Sequence, residues 1–73
     1  MIDYIYSGTG EAPILQDTLA VTPVQRVGET YYFRARYAEP LDVLPEGCIE
    51  APEGMYQIDT DNDENPVYLG VFA

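Results

Sequence analysis

The stretch Leu19–Tyr37, LAVTPVQRVGETYYFRARY, decides the fold, because two runs of strand-forming residues flank Gly28-Glu29. A glycine followed by a second residue between two such runs is the signature of a two-residue type II′ hairpin loop, which needs a positive φ at its first central position. In the second run side chains alternate, so Tyr31, Phe33, Ala35 and Tyr37 share one face while Thr30, Tyr32, Arg34 and Arg36 share the other. The first face is expected to be core, and the second to meet solvent or a partner. Pro23 carries no ladder donor, so its strand is expected to be an edge or to carry a bulge there.

Outward from this hairpin the chain reads as further short strands. Upstream, Ile2, Tyr4, Ile5 and Tyr6 are β-branched or aromatic around one acid, Asp3, and Ser7-Gly8-Thr9-Gly10 supplies turn residues, which gives an N-terminal strand. Between Glu11 and Ala20 the pattern is mixed: Pro13 and the four-residue spacing of Leu15 and Leu19 suit one short helical turn, whereas Thr18 and Val21-Thr22-Pro23 favour extension. Downstream, Pro40, Pro45, Gly47, Pro52 and Gly54 break Ala38–Gly54 into an ordered, largely irregular connection, with Val43-Leu44 and Cys48-Ile49 expected to point inward. Met55–Asp59 and Val67–Phe72 then read as a second hairpin around the polar segment Thr60–Pro66. The expected fold is one mainly β domain over residues 1–73, an antiparallel sheet of two hairpins plus an N-terminal strand.

Composition supports folding. Ile, Leu, Val and Phe make up 18 of 73 residues, about 25%, above the ~20% below which high charge goes with disorder. Seven Tyr add large apolar area with a polar tip. Cys48 is the single cysteine and the chain has no His to activate it, so it reads as a small buried hydrophobe. The opening residues Met1–Tyr6 contain no basic segment and no long apolar run follows, so a soluble, cytoplasmic protein is expected.

Charge is the functional signal. Residues 1–36 hold four acids (Asp3, Glu11, Asp17, Glu29) against all three bases (Arg26, Arg34, Arg36), a net of −1, while residues 37–73 hold nine acids and no base, a net of −9. Those nine, Glu39, Asp42, Glu46, Glu50, Glu53, Asp59, Asp61, Asp63 and Glu64, are the expected partner-binding residues. A solubility-driven surface intersperses both signs; this one does not. A one-sided negative field steers cationic partners in and repels nucleic acid and anionic membranes, which bind through Lys and Arg. The three Arg are expected to pair internally with nearby acids or to form a small basic edge.

Other chemistries fare worse. Asp59, Asp61 and Asp63 begin like a calcium loop, but the sixth position holds Glu64 in place of Gly and the twelfth holds Gly70 in place of Glu, so no metal site is assigned. With no His, no Lys and no glycine-rich phosphate loop, no catalytic residue or cofactor is assigned and the protein reads as a non-enzyme. Same-face residues on a strand lie ~6.6 Å apart, about twice the ~3.4 Å rise per nucleotide of one DNA strand. Carboxylates on an extended backbone therefore stand roughly where phosphates stand.

In size, polarised acidity and expected β architecture the chain resembles the small acidic anti-defence proteins of bacteriophages, the anti-CRISPR and anti-restriction inhibitors, several of which mimic DNA. The resemblance implies a monomer or weak dimer in the host cytoplasm that occupies the basic DNA-reading surface of a CRISPR surveillance complex or restriction system. Its mixture of Tyr, short strands and the segments Pro45-Glu46-Gly47 and Pro52-Glu53-Gly54 also resembles short phage tail and tail-fibre assembly proteins, which implies packing through a Tyr- and Pro-rich surface.

The net charge of −10 predicts that added salt and moderate acidification raise the melting temperature, since both relieve repulsion among carboxylates. Relief of about 1 kcal/mol moves Tm by about 4–8 °C in a domain of this size. A Tm indifferent to salt in a thermal melt would mean that the acids are already paired or dispersed.

Overall fold

A computed structural model describes residues 1–51, 57–58, 66–70 and 72. Seven strands follow in chain order: β1 (Ile2–Thr9), β2 (Ala20–Val21), β3 (Gln25–Val27), β4 (Thr30–Tyr37), β5 (Cys48–Glu50), β6 (Gln57–Ile58) and β7 (Val67–Tyr68). The main sheet runs β2-β4-β1-β5, with β3 beside β2 along the same side of β4, and β6 and β7 form a separate antiparallel pair. Every pairing is antiparallel. The mainly β, antiparallel reading of the sequence therefore holds.

The Gly28-Glu29 loop closes β3 onto β4 with Val27 opposite Thr30. Gly28 has φ 62° and Glu29 does not share the positive φ, the combination a type II′ turn requires. Pro23 has the expected consequence in both senses. Its strand is the edge of the sheet, and it bulges: Val21 lies opposite Ala35 and Gln25 opposite Tyr32, so the three residues 22–24 face only Phe33 and Arg34. Buried Thr22 spans this bulge by donating its N–H to the Arg34 carbonyl (2.8 Å) and accepting the Arg34 N–H on Oγ1 (2.8 Å).

β1 pairs with β4 along its whole length, from Ile2 opposite Tyr37 to Thr9 opposite Thr30. It is longer than its composition suggested, because β4 continues far enough to satisfy the backbone of Ser7, Gly8 and Thr9. The pairing sorts side chains into two layers. On one face Tyr4, Tyr6, Tyr31, Phe33, Ala35, Tyr37 and Cys48 form the larger core, closed by Ala12, Leu15 and Leu41 from the connections. Tyr6 stacks on its cross-strand partner Phe33 (centroids 4.9 Å apart), and Tyr4 meets Tyr37 edge-on at 5.6 Å. The hydroxyls are satisfied there: Tyr6 and Tyr37 share a buried hydrogen bond (2.9 Å), and the Tyr4 oxygen accepts the Leu41 N–H (2.9 Å).

The other face corrects the expectation of solvent or a partner. Ile5 packs there with Ala51, Val67 and Leu69, flanked by Val27 and Tyr32, so the chain's own C-terminal segment covers it. In so short a chain a sheet with one bare apolar face buries too little, and the last strand supplies the missing layer.

Two further expectations are corrected. No helical turn forms between Glu11 and Ala20, and no helix occurs among the described residues; Asp17 adopts φ 62°, a left-handed conformation that a right-handed turn cannot contain. The segment after Ala38 is largely irregular, as expected, and its one described strand, Cys48–Glu50, pairs with Tyr4–Tyr6 of β1. Within that segment Cys48 is buried, but Val43, Leu44 and Ile49 are exposed. Of the second hairpin, Gln57 lies opposite Tyr68 and Ile58 opposite Val67; the rest of the expected Met55–Asp59 strand and the loop after it fall outside the described residues.

Thr22→Val keeps the shape of the bulge and deprives the buried Arg34 N–H of its acceptor. A loss of about 1–2 kcal/mol is expected, read as a lower urea midpoint with unchanged m-value; a midpoint equal to the wild type would show that the hydroxyl does not hold the bulge.

Candidate functional site

The basic side chains are the place to begin, because they decide which acids remain for a partner. Asp3 lies directly opposite Arg36, and Arg34 is the diagonal neighbour on the same face. Both guanidiniums converge on the one carboxylate: Arg36 Nε donates to Oδ1 (2.8 Å) and its Nη2 to Oδ2 (3.1 Å), while Arg34 donates to Oδ2 through Nε (2.9 Å) and Nη2. Arg34 is only 4% exposed and also donates through Nη1 to the Leu69 carbonyl (3.3 Å). Phe72 lies over both, with its ring centroid 5.0 Å from Arg34 Cζ and 4.6 Å from Arg36 Cζ, within cation–π range. Arg26, on the far edge strand β3, donates to the Gly10 carbonyl. The expectation of internal pairing with acids is met for Arg34 and Arg36, whereas Arg26 bonds a backbone carbonyl, and Asp3 is a structural acid rather than a bystander.

The acids assigned to partner binding divide in two. Glu39, Asp42, Glu46 and Glu50 are all exposed. Glu39, Asp42 and Glu46 lie in the connection from β4 to β5, which meets the aromatic face where the Leu41 N–H reaches the Tyr4 hydroxyl, and Glu50 lies in β5, at the edge of the sheet opposite the one that holds Arg26. Glu46 sits at the tip of a tight turn in which the Cys48 N–H donates to the Pro45 carbonyl (3.0 Å) and Gly47 takes φ 79° at the third position, as a type II turn demands. Gly47 also lies against the Ser7 backbone, where any Cβ would strike the Ser7 carbonyl. The acidic turn is thereby fixed to β1. Glu50 lies opposite Tyr4 and borders a shallow concavity of about 460 Å³ shared with Met1, Ile2, Asp3, Arg36 and Ala51. Glu53, Asp59, Asp61, Asp63 and Glu64 fall outside the described residues. Among the described residues no group of three His, Cys, Asp or Glu side chains could hold a metal ion.

Sequence reasoning passed over the exposed apolar residues that share this edge. Val43 is 79% exposed and Ile49 49%, so the acidic edge is not purely polar. Their hydrophobicity had suggested burial, and only the turn that directs Cys48 inward and Ile49 to the other face decides otherwise. The Asp3 cluster left one signal in the sequence, an acid within an otherwise apolar strand, but its Arg partners depend on register. Four of the seven Tyr (Tyr4, Tyr6, Tyr31, Tyr37) are core, and Tyr68 is exposed.

Burial raises the Cys48 thiol above its ordinary value, which fits an inert packing residue. Burial first, and then the bond to Tyr37, push the Tyr6 hydroxyl up as well. No protein-family model, curated protein or solved structure matches the chain.

The Asp3 carboxyl lies below its ordinary 3.8, chiefly through the Arg36 hydrogen bond, with Arg34 adding to it and burial opposing. A carboxyl depressed in the folded state contributes stability that is complete above its ordinary value and is lost as pH falls through the folded value. Stability is therefore expected to rise on moderate acidification, as repulsion is relieved, and to fall once pH drops below the ordinary carboxyl value, where the unfolded chain takes up the proton that folded Asp3 still resists. Asp3→Asn leaves the buried Arg34 charge without the carboxylate and should cost about 3 kcal/mol at pH 7. It should also flatten the acid limb of a pH series of urea unfolding curves; an acid limb as steep as that of the wild type would mean that other carboxylates dominate.

Proposed function

We propose that the chain is a non-enzymatic binding protein whose acidic edge takes the place of nucleic-acid phosphates on the basic surface of a nucleic-acid-binding protein complex. The observation that carries this reading is the separation of charge in space. The four described acids of the Glu39–Glu50 stretch are exposed, with Glu50 on the edge strand β5, while Arg34 and Arg36 are turned onto Asp3 and Arg26 lies at the opposite edge. Such a surface presents a negative field, tempered where Arg36 shares the concavity beside Glu50. In keeping with the resemblance to phage anti-defence proteins, the partner is a CRISPR surveillance complex or a restriction system, and the outcome is exclusion of target DNA.

The reading as a tail-assembly accessory that packs through Tyr and Pro draws less support, because four of the Tyr lie in the core. What favours an apolar component is the exposure of Val43, Leu44 and Ile49 among the acids. They suit a contact in which carboxylates orient the partner and a few aliphatic side chains are buried at the centre.

The test captures partners from host lysate at low and at high salt, then measures affinity for the captured complex. Glu46, Glu50 and Glu53 together to Gln, or Asp59, Asp61 and Asp63 together to Asn, keep shape and remove three charges. Close charge pairs in such interfaces couple by about 1.5 kcal/mol or more, so at least one triple variant should bind more than about a hundredfold more weakly. The matched control changes Glu11, Asp17 and Glu29, all exposed and outside the polarised half, and should bind almost normally. The protein alone should not retard DNA in a gel. Normal binding by both acidic triples, with loss on Tyr68→Ala, would replace this reading with the packing one.

A further inference from the structure

We propose that the outer edge of β5 is a docking strand that receives an extended cationic segment of the partner as one more strand of the sheet. The inference rests on the reading of the acidic edge as the partner-binding side, and it specifies how that side is used. β5 pairs with β1 alone among the described residues. The Ser7 N–H donates to the Gly47 carbonyl (2.8 Å) and the Ala51 N–H to the Asp3 carbonyl (2.8 Å), so residues 47, 49 and 51 turn their backbone polar groups toward β1. By the alternation of an antiparallel ladder, Cys48 and Glu50 turn theirs away from it. The Cys48 N–H closes the turn onto Pro45, which leaves the Cys48 carbonyl and both the N–H and the carbonyl of Glu50 facing outward. A strand placed beside β5 can exchange two backbone hydrogen bonds with Glu50.

The two edges of the sheet differ in how they meet this hazard. The β2/β3 edge is broken by the bulge at residues 22–24 and by Pro23, devices that prevent strand addition. At β5 the backbone is regular, and protection comes from charge and brevity instead, with three paired residues between Pro45 and Pro52. Charge discriminates between occupants. A second copy of this chain would bring its own exposed Glu46 and Glu50, within a net charge of −10, against the same edge, whereas a segment rich in Arg or Lys is drawn in. The side chains at the edge fit the same occupant. Exposed Glu50 on one face and half-exposed Ile49 on the other, with Val43, Leu44, Glu39 and Asp42 nearby in sequence, suit a strand in which basic and β-branched residues alternate.

The probe is a blocked ten-residue peptide alternating Arg and Val, paired with the same peptide N-methylated at alternate residues, which keeps the charge and removes the backbone donors of one edge. With ¹⁵N-labelled protein at low salt, the unmodified peptide should slow amide exchange at Glu50 and bind about tenfold more tightly than the methylated one, the worth of one or two backbone bonds. Glu50→Pro removes the outward donor that a carbonyl of the docked strand accepts, at a position where an edge strand tolerates proline, and should weaken the unmodified peptide and narrow the difference, while Glu50→Gln should weaken both peptides and preserve it. Equal binding of the two peptides, or an unchanged Glu50 amide, overturns the strand-addition inference and leaves the charge-based reading intact. If neither peptide binds but the captured basic complex does, strand addition again fails alone; if neither peptide nor any basic protein binds, the acidic-edge reading falls with it.

Discussion

Eight residues of β1 lie against eight of β4 in a single register, and because strand side chains alternate, that register sorts the whole molecule. Even-numbered residues of β1 join odd-numbered residues of β4 in an aromatic layer, and the opposite set brings Asp3 beside Arg34 and Arg36. A slip of one residue would put Arg34 and Arg36 into the aromatic layer and Tyr31 and Phe33 among charges. The cost of burying unpaired charge makes the register close to obligatory. Everything else attaches to this pair: β2 and β3 along one side, β5 along the other, and the C-terminal segment across the charged face.

The choice of Tyr for the larger core follows from the size of the chain. A domain this small buries only about 60% of the surface its unfolded chain exposes, so each core residue must cover a large area while lying close to water. Tyr does so provided its hydroxyl is bonded, and the Tyr6–Tyr37 and Leu41–Tyr4 bonds meet that condition. The second layer rests on a different device. Arg34, held by Asp3, the Leu69 carbonyl and the Phe72 ring, joins the first strand, the fourth strand and the C-terminal segment in one cluster. An interior ion pair of this kind contributes less through its own energy than through the penalty that any other arrangement would incur.

That cluster also bears on recognition. By drawing two of the three bases onto a structural acid, the fold engages their charge internally, although Arg36 still borders the concavity beside Glu50. Charge of this kind speeds encounter and rejects wrong partners more than it fixes affinity; in the proposed contact the short-range part falls to the exposed aliphatic residues and the outward backbone groups of β5. Arg34 and Arg36 thus serve the fold through Asp3, while Arg26 stays exposed on the opposite edge strand.

What the sequence determined is what depends on neighbouring residues. The type II′ loop followed from Gly28-Glu29 between two strand-forming runs, the bulged edge from Pro23, the aromatic face of β4 from alternation, and the polarity of charge from a simple count along the chain. What only the tertiary structure decided is non-local. Composition does not show that Ser7–Thr9 continue a strand, that Cys48–Glu50 joins the sheet beside β1, or that Asp3 meets two Arg more than thirty residues away. Nor does it show that Val43, Leu44 and Ile49 stay exposed while Cys48 turns inward. Each of these depends on which strand lies beside which and in what register, and that is fixed by the sum of long-range burial and hydrogen bonding, for which no short stretch of chain carries the information.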